Sequence, residues 1–158
     1  DYKRALSIKP DFFNVMDNLG ALFAIRGQYD SSLFYLNRAL EINPDYAPAI
    51  RNRGLTFMAL HRYEDAIKDF EKFLFYEPRR AGIHNTIGVS YQNLKKYPES
   101  IAAFTKAIEF SPEAVFYLNR SYSYNALQNT EMAKRDALLA KQGGAQIPVD
   151  YQKSLGIQ

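Results

Sequence analysis

Residues 14–44 read NVMDNLGALFAIRGQYDSSLFYLNRALEINP. Apolar side chains recur at i, i+3, i+4 and i+7 in both halves, and the pattern breaks around Arg26-Gly27-Gln28. This spacing predicts two amphipathic helices joined by a tight turn. Pro44 closes the stretch just past the second helix, where a residue without an amide hydrogen cannot continue helical pairing. The two-residue alternation of a half-buried strand appears nowhere in the chain.

The stretch recurs along the chain. Gly20, Gly54 and Gly88 lie 34 residues apart, and Pro10, Pro44, Pro78 and Pro112 keep the same interval, as do Tyr29, Tyr63 and Tyr97. Three markers in one register set repeats at 13–46, 47–80, 81–113 and 114–142. The second repeat should hold helices close to 47–60 and 63–76. Residues 1–10, DYKRALSIKP, carry Ala5 and Pro10 in register and read as the partial second helix of an upstream repeat, so the native chain is expected to extend further at its N-terminus. Residues 143–158 are a tail in which PVDYQKSLG reads as a short capping helix.

Departures from the period carry information. The fourth repeat has Thr130 in place of tyrosine, and Ala137 where the others have Leu36, Phe70 and Phe104, as expected of a terminal unit with no neighbour beyond it. The turn around SPEAV is one residue short. Phe73 stands where the other repeats place Ala39, Ala107 and Ala140, and Ala81-Gly82 is expected to make room for its ring.

The pattern resembles the tetratricopeptide repeat family over nearly the whole chain. The family favours a small residue at the eighth place (Gly20, Gly54, Gly88, Ser121), an aromatic at the eleventh (Phe23, Phe57, Tyr91, Tyr124) and a small residue at the twentieth (Ser32, Ala66, Ser100, Ala133). Closely packed helix pairs need this combination of a small side chain at the crossing and a large one beside it. The resemblance implies an all-α, right-handed superhelical α-solenoid of helix-turn-helix repeats acting as a non-catalytic protein-binding adaptor or scaffold.

In that family a second stripe on each first helix lines the concave face. Here it holds Asn14, Asp17 and Asn18 in the first repeat and Arg51, Asn52 and Leu55 in the second. The third contributes Asn85, Thr86, Val89, Gln92 and Asn93, and the fourth Leu118, Asn119, Tyr122 and Asn125. The pair Asn52-Arg53 returns 67 places later as Asn119-Arg120. A side-chain amide donates and accepts together, so it can pair with peptide groups regardless of sequence. Asn14, Asp17, Asn18, Arg51, Asn52, Leu55, Asn85, Thr86, Val89, Asn93, Asn119 and Tyr122 are therefore the expected peptide-binding residues, with Arg53 and Arg120 structural bridges between helices. The two-carboxylate clamp for chaperone C-terminal tails is not expected. It asks for lysine, asparagine, asparagine, lysine and arginine at set places, and the first three repeats supply Asp17, Ala21, Asn52, Gly82 and Thr86. The last three supply Arg51, Leu55, Thr86, Val115 and Asn119, so Asn52 alone matches.

Other functions find little footing. The net charge is +3, but acids and bases interleave as in HRYEDAIKDFEK, the mark of a solvated surface rather than of a nucleic-acid partner. No apolar run approaches the roughly 18 residues that span a bilayer, so direct membrane contact is not expected. Cysteine is absent, which excludes disulfides and leaves the compartment, cytoplasmic or periplasmic, open. His61 and His84 fall in different helical segments and call for no metal, and no phosphate loop or nucleophile motif implies a cofactor or an enzyme. Two alternatives remain: a substrate-recruiting repeat arm of a longer enzyme, such as a glycosyltransferase, and a module for self-association.

Overall fold

A computed structural model of the protein describes residues 12–157. The expected partial helix at 1–10 lies outside them. Every regular element among these residues is α-helical: α1 Phe12–Ile25, α2 Tyr29–Ile42, α3 Ala47–Ala59, α4 Tyr63–Tyr76, α5 Ala81–Asn93, α6 Tyr97–Phe110, α7 Ala114–Ala126, α8 Thr130–Gln142 and α9 Val149–Ser154. The first eight form four helix-turn-helix pairs in tandem, and the chain divides into two compact units, Asp1–Pro78 and Arg79–Gln158.

Each pair turns by one device. Gly27, His61, Lys95 and Gln128 are left-handed, with φ of 71°, 58°, 58° and 60°. At each site the left-handed residue donates its N–H three residues back, and the next residue donates five back: His61 to the Met58 carbonyl at 3.0 Å, and Arg62 to the Phe57 carbonyl at 2.9 Å. This double bond pattern satisfies carbonyls that a helix end otherwise leaves open.

In the first unit α1 packs on α2, α3 on α4, and α2 against α3. Leu36, Ala39, Ile50, Ala66, Phe70 and Phe73 are buried there. The glycines sit at the crossings. A Cβ at Gly20 would stand 2.5 Å from Leu36 Cγ, and one at Gly54 2.7 Å from Phe70 Cε1. Phe73 is buried, but Gly82 is exposed and a Cβ built there would meet no atom within 4 Å.

The second unit repeats the plan with α5 to α8 and adds α9. A Cβ at Gly88 would lie 2.5 Å from Phe104 Cε1. The fourth pair inverts the size rule: Ser121 replaces glycine because Ala137 replaces the large partner. The tail fills the remaining space. Ile147, Leu155 and Ile157 are buried with Ala133, Ala137 and Ala140, and Tyr151 packs against this cluster. The Ser121 hydroxyl meets Tyr151 Oη at 2.6 Å and donates to the Ala133 carbonyl at 2.9 Å.

Polar cross-links stitch the repeats of each unit in the same way. Ser32 Oγ meets Thr56 Oγ1 at 3.0 Å, and Ser100 Oγ meets Ser123 Oγ at 2.9 Å. Arg53 donates through Nε and Nη2 to both Asp69 oxygens at 2.8 Å, and through Nη1 to Asn37 Oδ1 at 2.9 Å. Arg120 does the same to Asp136 at 2.7 and 3.0 Å and to Thr105 Oγ1 at 2.9 Å. The two arginines are thus helix bridges, each holding both helices of its own repeat and the second helix of the repeat before. Bidentate geometry with a third partner is what lets such a buried ion pair persist.

Candidate functional site

The first helices bring part of the stripe to the surface beside the face that packs. In the first unit Asn18, Arg51 and Leu55 are exposed and Asn14 and Asn52 half-buried, while Asp17 is buried. Asn52 Nδ2 donates to Asp17 Oδ1 at 2.8 Å, bridging α3 to α1. Burial pushes the Asp17 carboxyl above its ordinary range, against the Asn52 hydrogen bond and the charge of Arg51. Asp17 therefore serves from beneath the stripe as the anchor of Asn52. The members at the surface here are Asn18, Arg51 and Leu55.

In the second unit Asn85, Thr86, Val89, Asn119 and Tyr122 are half-buried and Asn93 is exposed. Asn119 Nδ2 donates to Asn85 Oδ1 at 2.9 Å, the counterpart of the Asn52–Asp17 bond with an amide in place of the carboxylate. Thr86 Oγ1 donates to the Gly82 carbonyl and Asn93 Nδ2 to the Val89 carbonyl, each at 2.8 Å. The structure also gives weight to Gln92, which lies on the stripe but outside the expected binding set. Its Nε2 donates to the Asn119 carbonyl and to Ser123 Oγ, both at 2.9 Å. Repeat spacing puts Gln92 in the stripe; the facing carbonyl that orients it is a tertiary fact with no local signal.

Tyr122 has a neighbour that periodicity did not disclose. Its ring centroid lies 4.5 Å from that of Tyr151, and Leu118, one turn before it, packs against the tail cluster. Burial raises the pKa of both tyrosines. The tail thus packs on Leu118 and Tyr122 of the fourth repeat's share of the stripe, while Asn125 there is exposed. His84, buried beside Phe110 at 5.3 Å between ring centroids, is a packing residue. Among the described residues no cluster of His, Cys, Asp and Glu could hold a metal ion, and no helix is long and apolar enough to cross a membrane.

Solved structures share this architecture. A crystal structure of MamA superposes with a TM-score of 0.82 at 17% identity, covering 90% of this chain and 84% of that one. MamA from MSR-1 gives 0.79 at 24% identity, covering 84% and 76%. A fragment of MamA, 41 to its end, from Desulfovibrio magneticus RS-1 gives 0.80 at 16% identity, covering 84% and 75%. At these identities the likeness concerns the fold. No curated protein sequence matches the chain. Two tetratricopeptide repeat profiles match it, at residues 14–46 and 51–115, together more than half of its length. With four glycine-or-serine crossings in tandem helix pairs and these matches in register, the chain belongs to the tetratricopeptide repeat family.

Proposed function

We propose that this chain, a protein-interaction module as its family implies, binds a peptide segment of a partner on the first-helix stripes of its two units, without catalysis. One observation carries the reading: the stripe keeps amides, a cation and aliphatic side chains at the surface of helices that bury another face in packing. Asn18, Arg51, Leu55 and Asn93 are exposed while Met16, Gly20, Ile50, Gly54, Ile87 and Gly88 on the same helices are buried. Charge and amide groups can orient a peptide main chain, and Leu55 and Val89 offer apolar contact.

Asn52 and Asn119 belong to this set with a second duty, because each already donates across helices. Replacing Asn52 strips the buried Asp17 of its hydrogen bond, so it mixes stability with recognition. The clean variants are Asn18→Ala, Arg51→Ala and Leu55→Ala. Peptides selected from a random 12-residue library on immobilised protein, then titrated in solution, should bind on the order of micromolar, since ordering a flexible peptide offsets much of the contact energy. The Leu55→Ala and Arg51→Ala proteins should bind several-fold more weakly at unchanged thermal midpoint. A footprint on the outward side of α4, around Asp65, Lys68 and Lys72, would refute the stripe while leaving the interaction module standing.

A further inference from the structure

We infer that the stripe of the first unit takes an acidic, amphipathic segment, with large apolar side chains against a patch on the later turns of α1 and α3 and a carboxylate against Arg51. The inference rests on the peptide-binding reading and names the chemistry of its partner. The ninth, twelfth and thirteenth places of the first two repeats hold Ala21, Ala24 and Ile25 on α1, and Leu55, Met58 and Ala59 on α3. Ile25 is 84% exposed and Leu55 44%, and Ala59 is exposed as well. A single apolar side chain at the surface is ordinary. Here apolar residues fill one set of places on two helices that lie side by side, bridged by the Asn52–Asp17 bond at 2.8 Å. The same places in the second unit hold Val89, Gln92 and Asn93, then Tyr122, Asn125 and Ala126. The patch is thus a property of the first unit's sequence and not of the repeat.

Beside the patch stands a cation. Arg51 lies one helical turn before Leu55, on the same side of α3. It is exposed, and among the described residues its guanidinium makes no hydrogen bond or ion pair. Asp17 feels its charge, but that carboxyl is buried and held by Asn52. A ligand arriving from solvent therefore meets the cation first. Asp17 is the sole acid of α1 and α3, and the remaining charge there, Arg53, is taken up by Asp69 and Asn37. The exposed acids Asp30, Glu41, Glu64 and Glu71 belong to the second helices, α2 and α4. Positive charge and apolar contact are offered together. They suit a segment with an acidic residue close to a large apolar one, and they disfavour lysine or arginine in the acid's place.

The test uses the full chain and the tightest binder from a random 12-residue library. Ile25→Ser and Arg51→Glu both change exposed positions, and circular dichroism checks that each protein stays folded. Ile25→Ser should weaken binding about ten-fold, and Arg51→Glu about three- to ten-fold. Replacing the peptide's acid by lysine should cost the parent protein a similar factor, a measurement that needs no variant to fold. The Arg51→Glu protein should then bind the lysine peptide more tightly than the parent protein does. Indifference to either variant, while Asn18→Ala weakens binding, would overturn the inference and leave the groove reading intact. So would a loss in Arg51→Glu that the lysine peptide does not restore. A parent protein that sediments as a dimer, dissociates on Ile25→Ser and is unmoved by peptide would assign the patch to a second copy and overturn the inference as well. A library without binders, or with binders insensitive to every stripe variant, would defeat both readings.

Discussion

Lys95 occupies a left-handed conformation that glycine supplies in the first repeat. A side chain there crowds the following carbonyl, and glycine does not. The bonds that close the turn are the same with either residue: Gly27 to Ala24 at 2.9 Å and Lys95 to Gln92 at 3.0 Å. Lys95→Gly should raise stability by about 0.5–1 kcal/mol, read as a higher denaturant midpoint at unchanged slope. Asp17 makes the opposite kind of test. Its carboxyl is held above the ordinary 3.8 by burial. The folded state therefore keeps a proton that the unfolded chain loses, so this group favours folding below 3.8 and the contribution fades as pH rises through the raised value. Asp17→Asn copies the amide pair already present at Asn85 and Asn119. Relative to the parent it should gain stability between about pH 3 and about pH 7, shown by denaturant titrations of both proteins at the two pH values; a parallel course would refute the assignment. Sequence spacing gave Asp17 as a peptide-binding residue, whereas the structure buries it beneath Asn52. It could not show the burial, which depends on how closely α3 approaches α1.

Helix pairing was readable because the crossing contact is local in sequence. Gly54 and Phe70, or Gly88 and Phe104, lie sixteen residues apart on two helices joined by one short turn, so the small-plus-large rule leaves an imprint in the letters themselves. The predicted 47–60 and 63–76 became Ala47–Ala59 and Tyr63–Tyr76, an error of one residue at one end. The fourth pair shows the limit of such reading. Ser121 and Ala137 look like a degraded repeat until Tyr151, Ile147, Leu155 and Ile157 are seen filling the space from beyond a glycine turn. Gly88→Ala should cost about 1–3 kcal/mol, because the new methyl meets a fully buried ring. Ser121→Ala meets no such ring and should cost about 1 kcal/mol through its lost hydrogen bonds. Equal losses in thermal unfolding would contradict this division between sterics and hydrogen bonding.

Across the whole chain, two units carry one set of cross-links with the chemistry lightly varied. Among the described residues the tail fills out the core of the second. Truncation before Ile147 should speed amide hydrogen exchange in α7 and α8 and leave α1 and α2 nearly unchanged, because the buried alanines 133, 137 and 140 lose their cover. Uniform acceleration along the chain would instead mean that stability is shared globally. The four-fold repetition was plain in the glycines, prolines and tyrosines. The pairing of repeats was harder to see: the return of Asn-Arg after 67 residues was its visible trace, but each partner, Asp17 or Asn85, Asn37 or Thr105, sits at a place whose residue type differs between the units.

That pairing makes the chain editable in doublets. Excising residues 47–113 would bring the fourth repeat against the first with its contacts matched in kind: Asn119 would face Asp17, Arg120 would face Asn37, and Ser123 would face Ser32. Excising 47–80 alone would set Ile87 opposite Asn37 and Thr86 opposite Asp17, leaving a buried carboxylate without its amide. A lineage that lengthens or shortens such an array therefore meets least resistance in steps of two repeats, and the shorter half-length protein should fold where the three-repeat version falters.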